Sequence, residues 1–204
     1  MSLHVSLAKS AVENYIKKGE IISPSNDLPE EFLARKAGTF VTIEKDGQLR
    51  GCIGTYLPTR INIAEEIVRN AIAAANEDYR FGPIKKEELP YLSYTVYILS
   101  YPEPVNDLKT LDPKKFGIIV KTGPFTYPNG SEGEKREQDL FDHPNQENVV
   151  FDGVVPYKAG LLLPDLEEVD TIEKQLSIAC QKGGIDPGKE KIFIYRFTVE
   201  KHQQ

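Results

Sequence analysis

The sequence is short of several residue types that define large functional classes. In 204 residues it has no tryptophan, one methionine, two cysteines and three histidines. Two cysteines without a secretory signal pattern are typical of reduced thiols in the cytosol, so we expect a cytoplasmic protein without a Cys52–Cys180 disulfide. Metal-ligand spacings such as C-x-x-C and H-E-x-x-H do not occur, nor does a phosphate loop of the G-x-x-x-x-G-K type. We therefore expect neither a metal ion nor a cofactor.

Long apolar runs and basic clusters are missing as well. No stretch approaches the roughly 18 residues that a membrane-spanning helix needs. Charged residues interrupt the segment where a signal peptide would lie: Lys9, Glu13, Lys17 and Lys18. The net charge of −6 argues against a general attraction to nucleic acid or anionic lipid. We expect no nucleic-acid partner and no membrane association, and RNA handling is the least favoured functional class.

The chain is long enough for one sizeable core, and 40% of its residues are hydrophobic. Periodicity and capping residues predict helices over Val5–Lys18, after an Asn62 cap, and after an Asp170 cap. Strands are predicted at 38–44, 48–56, 92–101, 116–121, 160–164 and 191–201, with a hairpin turn at Asp46-Gly47. Helices do not alternate strictly with strands, which favours an α+β fold with a mainly antiparallel sheet and flanking helices.

The most informative motif is LRGCIG, at Leu49–Gly54. It lies on the predicted second strand of the hairpin, where strand alternation places Arg50 and Cys52 on one face, and Leu49 and Ile53 on the other. A guanidinium near a thiol favours the thiolate, which is the reactive form. Glycines at 51 and 54 let a second backbone or a ligand approach closely. This arrangement predicts a site without naming its reaction.

Cys52 has two interpretations. It is either a nucleophile, redox thiol or transient covalent acceptor, or a small buried residue beside tight glycine packing. A nucleophile normally needs a base, and no histidine is adjacent in sequence, although the chain ends could lie close together. The three histidines are His4, His143 and His202. Arg50 meets either an anionic substrate group or an internal acid such as Asp78, because an unpaired buried guanidinium would cost several kcal/mol.

Asp78 and Arg80 follow the second helix. They either line a cleft and orient a substrate, together with Gly51 and Gly54, or they tie the loop together where the helix stops. Cys180 lies at helical spacing from apolar neighbours and is predicted to be a core residue. A group of acidic residues is better explained by a solvated loop than by a cation site: Asp165, Glu167, Glu168 and Asp170. The tyrosines in and near residues 92–101 are predicted to serve core or inter-lobe packing.

Four segments resemble the AMMECR family, whose bacterial and archaeal members are called AmmeMemoRadiSam system protein A. The segments are LRGCIGTY, NAIAAANEDYRFGPI, LSYTVYILS and GLLLPDLEEVDTIEKQLSIACQKGGI. The resemblance extends from the first helix to Lys201-His202, so it implies a single AMMECR-like domain over residues 1–204. It also raises the functional interpretation of Asp78 and Arg80, because D-x-R-F belongs to the family pattern.

The resemblance implies two lobes with the hexapeptide facing the cleft between them. We expect a larger lobe from residues 1–57, 90–121 and 159–204, and smaller or inserted elements at 58–89 and 122–158. The system name implies a pathway shared with a Memo-like protein and a radical-SAM protein. Residues 122–158 depart from the family pattern by their length, and we predict that 123–153 form a surface excursion that is either a lid or a decoration.

We therefore hypothesise a pathway component with a ligand cleft around Arg50 and Cys52. If it is an enzyme, Cys52 performs covalent or redox work, Arg50 binds an anion or activates the thiol, and Asp78 and Arg80 orient the substrate. The alternative is a non-catalytic scaffold whose cleft holds a peptide or a protein.

Overall fold

The computed structural model describes residues 1–123 and 157–204, which fall into two compact units. Unit 1 consists of residues 1–101 and 200–204, and unit 2 of residues 102–199. Residues 58–89 thus belong to unit 1, and residues 102–121 to unit 2, which differs from the predicted lobes. The predicted excursion, apart from Gly123, lies outside the described residues, as does His143.

The helices are α1 (Leu3–Lys18), α2 (Glu30–Ala34), α3 (Ile63–Asn76) and α4 (Ile172–Lys182). The strands are β1 (Thr39–Lys45), β2 (Gln48–Gly54), β3 (Leu92–Leu99), β4 (Glu103–Pro104), β5 (Gly117–Lys121), β6 (Ala159–Leu162), β7 (Phe193–Phe197) and β8 (Val199–Gln203). The strand pairings described residue by residue are antiparallel. The predicted α+β class is confirmed. Among the described residues, no helix combines the length and apolarity needed to cross a membrane.

Unit 1 contains a four-stranded sheet with the strand order β2-β1-β3-β8. Helices α1 and α3 pack against one face of this sheet. Helix α3 begins as predicted, because the Asn62 side chain accepts the Glu65 N–H at 2.9 Å. Helix α1 ends as predicted at Gly19, whose φ of 74° is the left-handed C-cap conformation. The core between helices and sheet includes Val41 and Ile43 of β1.

The hairpin of β1 and β2 follows the prediction at its turn and departs from it inside the strand. Asp46 and Gly47 both have positive φ, as a two-residue type I′ turn requires. Four residues further on the register shifts: Glu44 pairs with Leu49, but Ile43 pairs with Gly51. Arg50 is therefore the extra residue of a β-bulge, and the regular alternation of side chains stops there.

Unit 2 has the strand order β4-β7-β5-β6 among the described residues, with α4 packed on β5 and β6. Two predictions need correction. The cap of α4 is Thr171, whose hydroxyl accepts the Lys174 N–H, and not Asp170. The single strand predicted at 191–201 is two strands, β7 and β8, which are interrupted at Thr198 and belong to different sheets.

Candidate functional site

Cys52 is a partly buried cysteine on the edge strand β2 and is not part of a disulfide. It pairs with Thr42, and the Cys52 Sγ lies 3.2 Å from the Thr42 Oγ1, a hydrogen-bond distance for sulfur. Val41 and Ile43 face the helices, so their neighbour Thr42, and Cys52 opposite it, face the other side of the sheet. The thiol therefore lies on the sheet face that α1 and α3 do not cover.

The bulge at Arg50 creates this pairing. An unbroken register from the two-residue turn would place Thr42 opposite Gly51, and only the extra residue brings Cys52 opposite Thr42. Leu49 consequently pairs with Glu44 and Cys52 with Thr42, and these two partners lie on the same face of β1. The predicted alternation, with Leu49 on the face away from Cys52, is wrong.

Arg50 is an internal structural cation. Its Nε and Nη2 donate to the two oxygens of Glu88 at 2.9 and 3.0 Å, while Nη1 and Nη2 also donate to the carbonyls of Gly82 and Pro83. Both side chains of the pair are about 15% exposed. The hydrogen bond from Arg50 lowers the pKa of Glu88 to about 2. The internal acid is thus Glu88, not Asp78, and every nitrogen of this guanidinium is already bonded within the chain.

Asp78 instead holds the backbone of Cys52. Its carboxylate is 3% exposed and accepts the Cys52 N–H at 2.9 Å. It also accepts the Arg80 Nε and Nη2 at 2.9 and 2.7 Å. Burial by itself would raise the pKa of Asp78, but these hydrogen bonds outweigh burial and hold the pKa below its ordinary value. Asp78 therefore occupies the open edge of β2, where a neighbouring strand would otherwise bond.

The guanidinium of Arg80 lies close to the backbone of Cys52. Its side chain is 45% exposed, lies over the ring of Phe81 at 5.2 Å, and places Nη2 3.5 Å from the Cys52 carbonyl oxygen. The hydrogen bond to Asp78 raises the pKa of Arg80, and the negative charge of an ionised Cys52 raises it further. The role that the sequence suggested for Arg50, a cation beside the thiol, thus has Arg80 as its candidate.

Tyr97 belongs to the same sheet face, since it pairs with Phe40, two residues from Thr42. Burial raises the pKa of Tyr97, and the nearby charges of Cys52 and Glu44 raise it further. Sequence reasoning treated this tyrosine as packing and did not single out Thr42. Pairing the strands outward from the Asp46-Gly47 turn was the signal that could have placed Thr42 and Tyr97 near the thiol. The bulge shifts that pairing by one residue, so the turn alone gives the wrong partner for Cys52.

The two glycines of the motif pack against the protein itself. A Cβ on Gly51 would overlap the carbonyl oxygen of Ala74 in α3, and a Cβ on Gly54 would overlap Phe40 and the Thr39 carbonyl. Gly51 thus allows the alanine-rich helix to approach β2 closely. Both glycines were predicted as ligand-binding residues, and in this structure the space that they leave is taken by protein atoms.

The histidines of the described chain lie at the opposite edge of the sheet. His4 stacks on His202 of β8 with ring centroids 3.8 Å apart. Strand β8 is three positions from β2 in the sheet order. Strand spacing of about 4.8 Å puts the two edge strands about 14 Å apart. A pair of Cys52 with His4 or His202 is therefore not formed.

A buried carboxylate that sequence reasoning missed anchors the chain after the motif. Glu66 of α3 is fully buried and accepts the N–H groups of Thr59 and Arg60 as well as the hydroxyls of Thr55 and Thr59. These bonds fix the loop between β2 and α3. The available signal was an acidic residue on the apolar face of a predicted helix.

Unit 2 contains the second thiol. Cys180 is 5% exposed within an apolar core, and burial raises its pKa. It lines a groove of about 480 Å³ together with Leu176, Ile185 and Ile192. The described residues hold no group of three or more His, Cys, Asp or Glu side chains positioned for a metal ion. Cys180 is a core residue, as predicted from its helical spacing.

Comparison with known proteins finds relatives that match nearly the whole of this chain. A protein of Thermotoga maritima is 45% identical over 201 residues, which cover 98% of this chain and 97% of that protein. Protein CA_C1420 of Clostridium acetobutylicum is 38% identical over 202 residues, but these make up only 36% of its length. The crystal structure of the uncharacterized protein PH0010 from Pyrococcus horikoshii matches with a TM-score of 0.74 and 28% identity, covering 98% of this chain and 89% of that one.

The family model described as AMMECR1 matches residues 5–202, which include β2, the Asp78–Arg80 loop and both cysteines. The chain belongs to the AMMECR1 family.

Proposed function

We propose that this protein binds a ligand on the sheet face that carries Cys52, and that the thiol reacts with that ligand. The carrying observation is the combination of a fixed backbone and a partly buried thiol side chain at Cys52. Asp78 holds the Cys52 N–H, while the side chain lies beside the Thr42 hydroxyl on the sheet face that α1 and α3 do not cover. Such a positioned nucleophile suits covalent catalysis.

The thiol would act as a transient covalent acceptor. A bond forms between the Cys52 sulfur and an electrophilic carbon of the ligand, the leaving group departs with the electron pair of the broken bond, and the thiol proton passes to solvent. Arg80 supports the thiolate that this step needs, because a cation near a thiol favours its ionised form. Arg50 supports the fold of the motif through Glu88.

The wider role that we propose is a component of a pathway with Memo-like and radical-SAM proteins. The resemblance of the sequence motifs suggests this company. A second observation is compatible with it: the clostridial relative contains the matching region within a protein nearly three times as long.

Intact-mass measurement tests the covalent role. The chain is co-expressed with the Memo-like and radical-SAM proteins of the same organism, purified and weighed under denaturing conditions. We expect an added mass that maps to Cys52, is lost in Cys52→Ser and is kept in Cys180→Ser. An unmodified Cys52, together with a Cys52→Ser variant that supports the pathway fully, would contradict the proposal.

A non-catalytic scaffold for a peptide or protein is the second candidate. It is favoured by the internal partners of the motif: each guanidinium nitrogen of Arg50 donates to Glu88 or to the Gly82 and Pro83 carbonyls, and Gly51 packs on α3. Partner capture by the wild type and by Cys52→Ser distinguishes the two. If the variant still binds the partner but the pathway output stops, the scaffold function is excluded.

A further inference from the structure

We infer that Arg80 is the anchor for an oxyanion, a carboxylate or a phosphate group, on the ligand of Cys52. This inference rests on the proposed function and names the chemical class of its ligand. It also assigns to Arg80 the anion-binding role that the sequence suggested for Arg50.

The argument begins with the donors that each arginine has left. Arg50 uses Nε, Nη1 and Nη2 in bonds to Glu88 and to two backbone carbonyls, and its side chain is 16% exposed. Arg80 uses Nε and Nη2 for Asp78. Its Nη1 has no hydrogen-bond partner within residues 1–123 and 157–204, and the side chain is 45% exposed. Arg80 therefore has free donors in a position that solvent reaches.

The orientation of these donors is fixed before any ligand binds. Asp78 holds the Nε–Nη2 edge of the guanidinium with two short bonds, and the Phe81 ring lies against the guanidinium at 5.2 Å. The other edge, formed by Nη1 and Nη2, is the fork that matches the two oxygens of a carboxylate or a phosphate. Nη2 of this edge approaches the Cys52 carbonyl oxygen at 3.5 Å. This long contact is easily exchanged for a ligand oxygen.

The negative charge of Asp78 does not prevent anion binding at this edge. Asp78 is 3% exposed and points toward the Cys52 N–H, so the solvent-facing member of the pair is the cation. A half-exposed guanidinium gives a weak anion site, since exposed ion pairs contribute at most about 1 kcal/mol. Its value to the protein is position: the bound oxyanion lies next to Cys52 and directs the rest of the ligand to the thiol.

Iodoacetate and iodoacetamide test this inference, because they alkylate a thiol by the same displacement of iodide and differ in a carboxylate. We expect the ratio of the iodoacetate rate to the iodoacetamide rate at Cys52 to exceed the ratio for glutathione about fivefold, which corresponds to about 1 kcal/mol. In Arg80→Gln the ratio should fall to the glutathione value. Arg80→Lys should keep part of the preference, since it retains the charge without the fork.

Arg196→Gln is the matched control, because Arg196 also pairs with a carboxylate, that of Glu103, and lies over the ring of Phe116 at 4.6 Å. It makes the same change in net charge and should leave the ratio unaltered. Acetate and inorganic phosphate, compared with chloride at equal ionic strength, should slow alkylation of the wild type by iodoacetate, and the stronger protector identifies the oxyanion.

The outcomes separate the inference from the function on which it rests. A wild-type ratio equal to that of glutathione, with Cys52 still reactive toward iodoacetamide, would overturn the oxyanion anchor alone. A ratio that stays high in Arg80→Gln would do the same. A Cys52 that reacts with neither reagent in the folded protein would overturn both. If circular dichroism shows that Arg80→Gln does not fold, the inference is tested by the wild-type ratio, by the ratio in Arg80→Lys and by the protection that anions give.

Discussion

Each unit has a cysteine next to a close contact between a strand glycine and a helix carbonyl, and the two cysteines have different surroundings. In unit 1, Cys52 follows Gly51, and Gly51 packs against the Ala74 carbonyl of α3. In unit 2, Cys180 follows Ala179, and the Ala179 carbonyl packs against Gly160 of β6. Each unit thus packs a helix closely on a strand at a glycine. The thiol follows the glycine itself in unit 1 and follows the helical residue that contacts the glycine in unit 2.

The difference lies in which element carries the thiol. Cys180 is on the helix and points into an apolar core, where burial raises its pKa. Cys52 is on the edge strand, where alternation turns it away from the helix that packs on Gly51. Its neighbours are the hydroxyl of Thr42 and the guanidinium of Arg80. Both thiols adjoin a close glycine contact, so that contact does not distinguish them; the strand face beyond it does.

The largest effect that we expect comes from filling the two glycine contacts. Gly51→Ala and Gly160→Ala each place a methyl group on a backbone carbonyl that cannot move aside without shifting the helix. We expect a loss of about 3 kcal/mol or more in the free energy of unfolding for each, measured by urea denaturation. Gly188→Ala is the control, because within the described part of the chain its Cβ would meet the Asp186 side chain alone, at 3.3 Å. A small loss at only one of the two contacts would break the comparison between the units.

The next largest effect that we expect is a loss of stability at acidic pH that begins in unit 1. Burial, and then the adjacent His202, lower the pKa of His4 from 6.5 to about 4; Glu31 and Glu200 oppose this shift, while Arg35 adds to it. The unfolded chain binds this proton at a higher pH than the folded chain. The contribution of His4 to the free energy of unfolding is therefore fully present above pH 6.5. Up to about 3 kcal/mol of that free energy is lost as the pH falls from 6.5 through 4.

Hydrogen exchange checks where this loss occurs. Between pH 6.5 and 4.5, protection of α1 peptides should fall, after correction for the intrinsic exchange rate, while α4 peptides keep theirs. His4→Phe, which keeps a ring against His202, should flatten the dependence. An equal fall of protection in both helices, or no change with His4→Phe, would show that His4 is not the group responsible.

The smallest effect is expected from the thiols themselves. Cys180→Ser puts a hydroxyl into an apolar core and should cost about 1–3 kcal/mol in the free energy of unfolding. Cys52→Ser should cost less than about 0.5 kcal/mol, because a hydroxyl beside Thr42 can keep a hydrogen bond. Thermal denaturation of both variants checks the order. Equal losses would mean that the Cys52 sulfur is as enclosed as that of Cys180.

Short-range signals predicted much of the fold. The Asp46-Gly47 turn, the Asn62 cap and the Gly19 stop each depend on residues within four positions of one another, and all three are present. The elements that sequence reasoning missed or merged depend on distant contacts. The single strand predicted at 191–201 has an unbroken pattern, yet its two halves join different sheets.

The candidate site shows the same division. The hexapeptide, Asp78 and Arg80 were singled out from the sequence, and the structure brings Asp78 and Arg80 to Cys52. The partner of Arg50 was assigned to the wrong acid, because Glu88 lies 38 residues along the chain on a turn that the pattern did not predict. Thr42 was overlooked because a bulge in the strand is not visible in the alternation of apolar residues.

The sequence by itself determined the hairpin, the caps of α1 and α3, the thiol between two glycines and the family to which they point. These features follow from local backbone preferences and from residues that lie near one another in the chain. Only the tertiary structure decided which arginine is bonded inside the protein and which keeps free donors beside Cys52. That choice depends on where α3 and the loop after it meet the edge of β2, and no local preference fixes a contact between segments 26 to 38 residues apart.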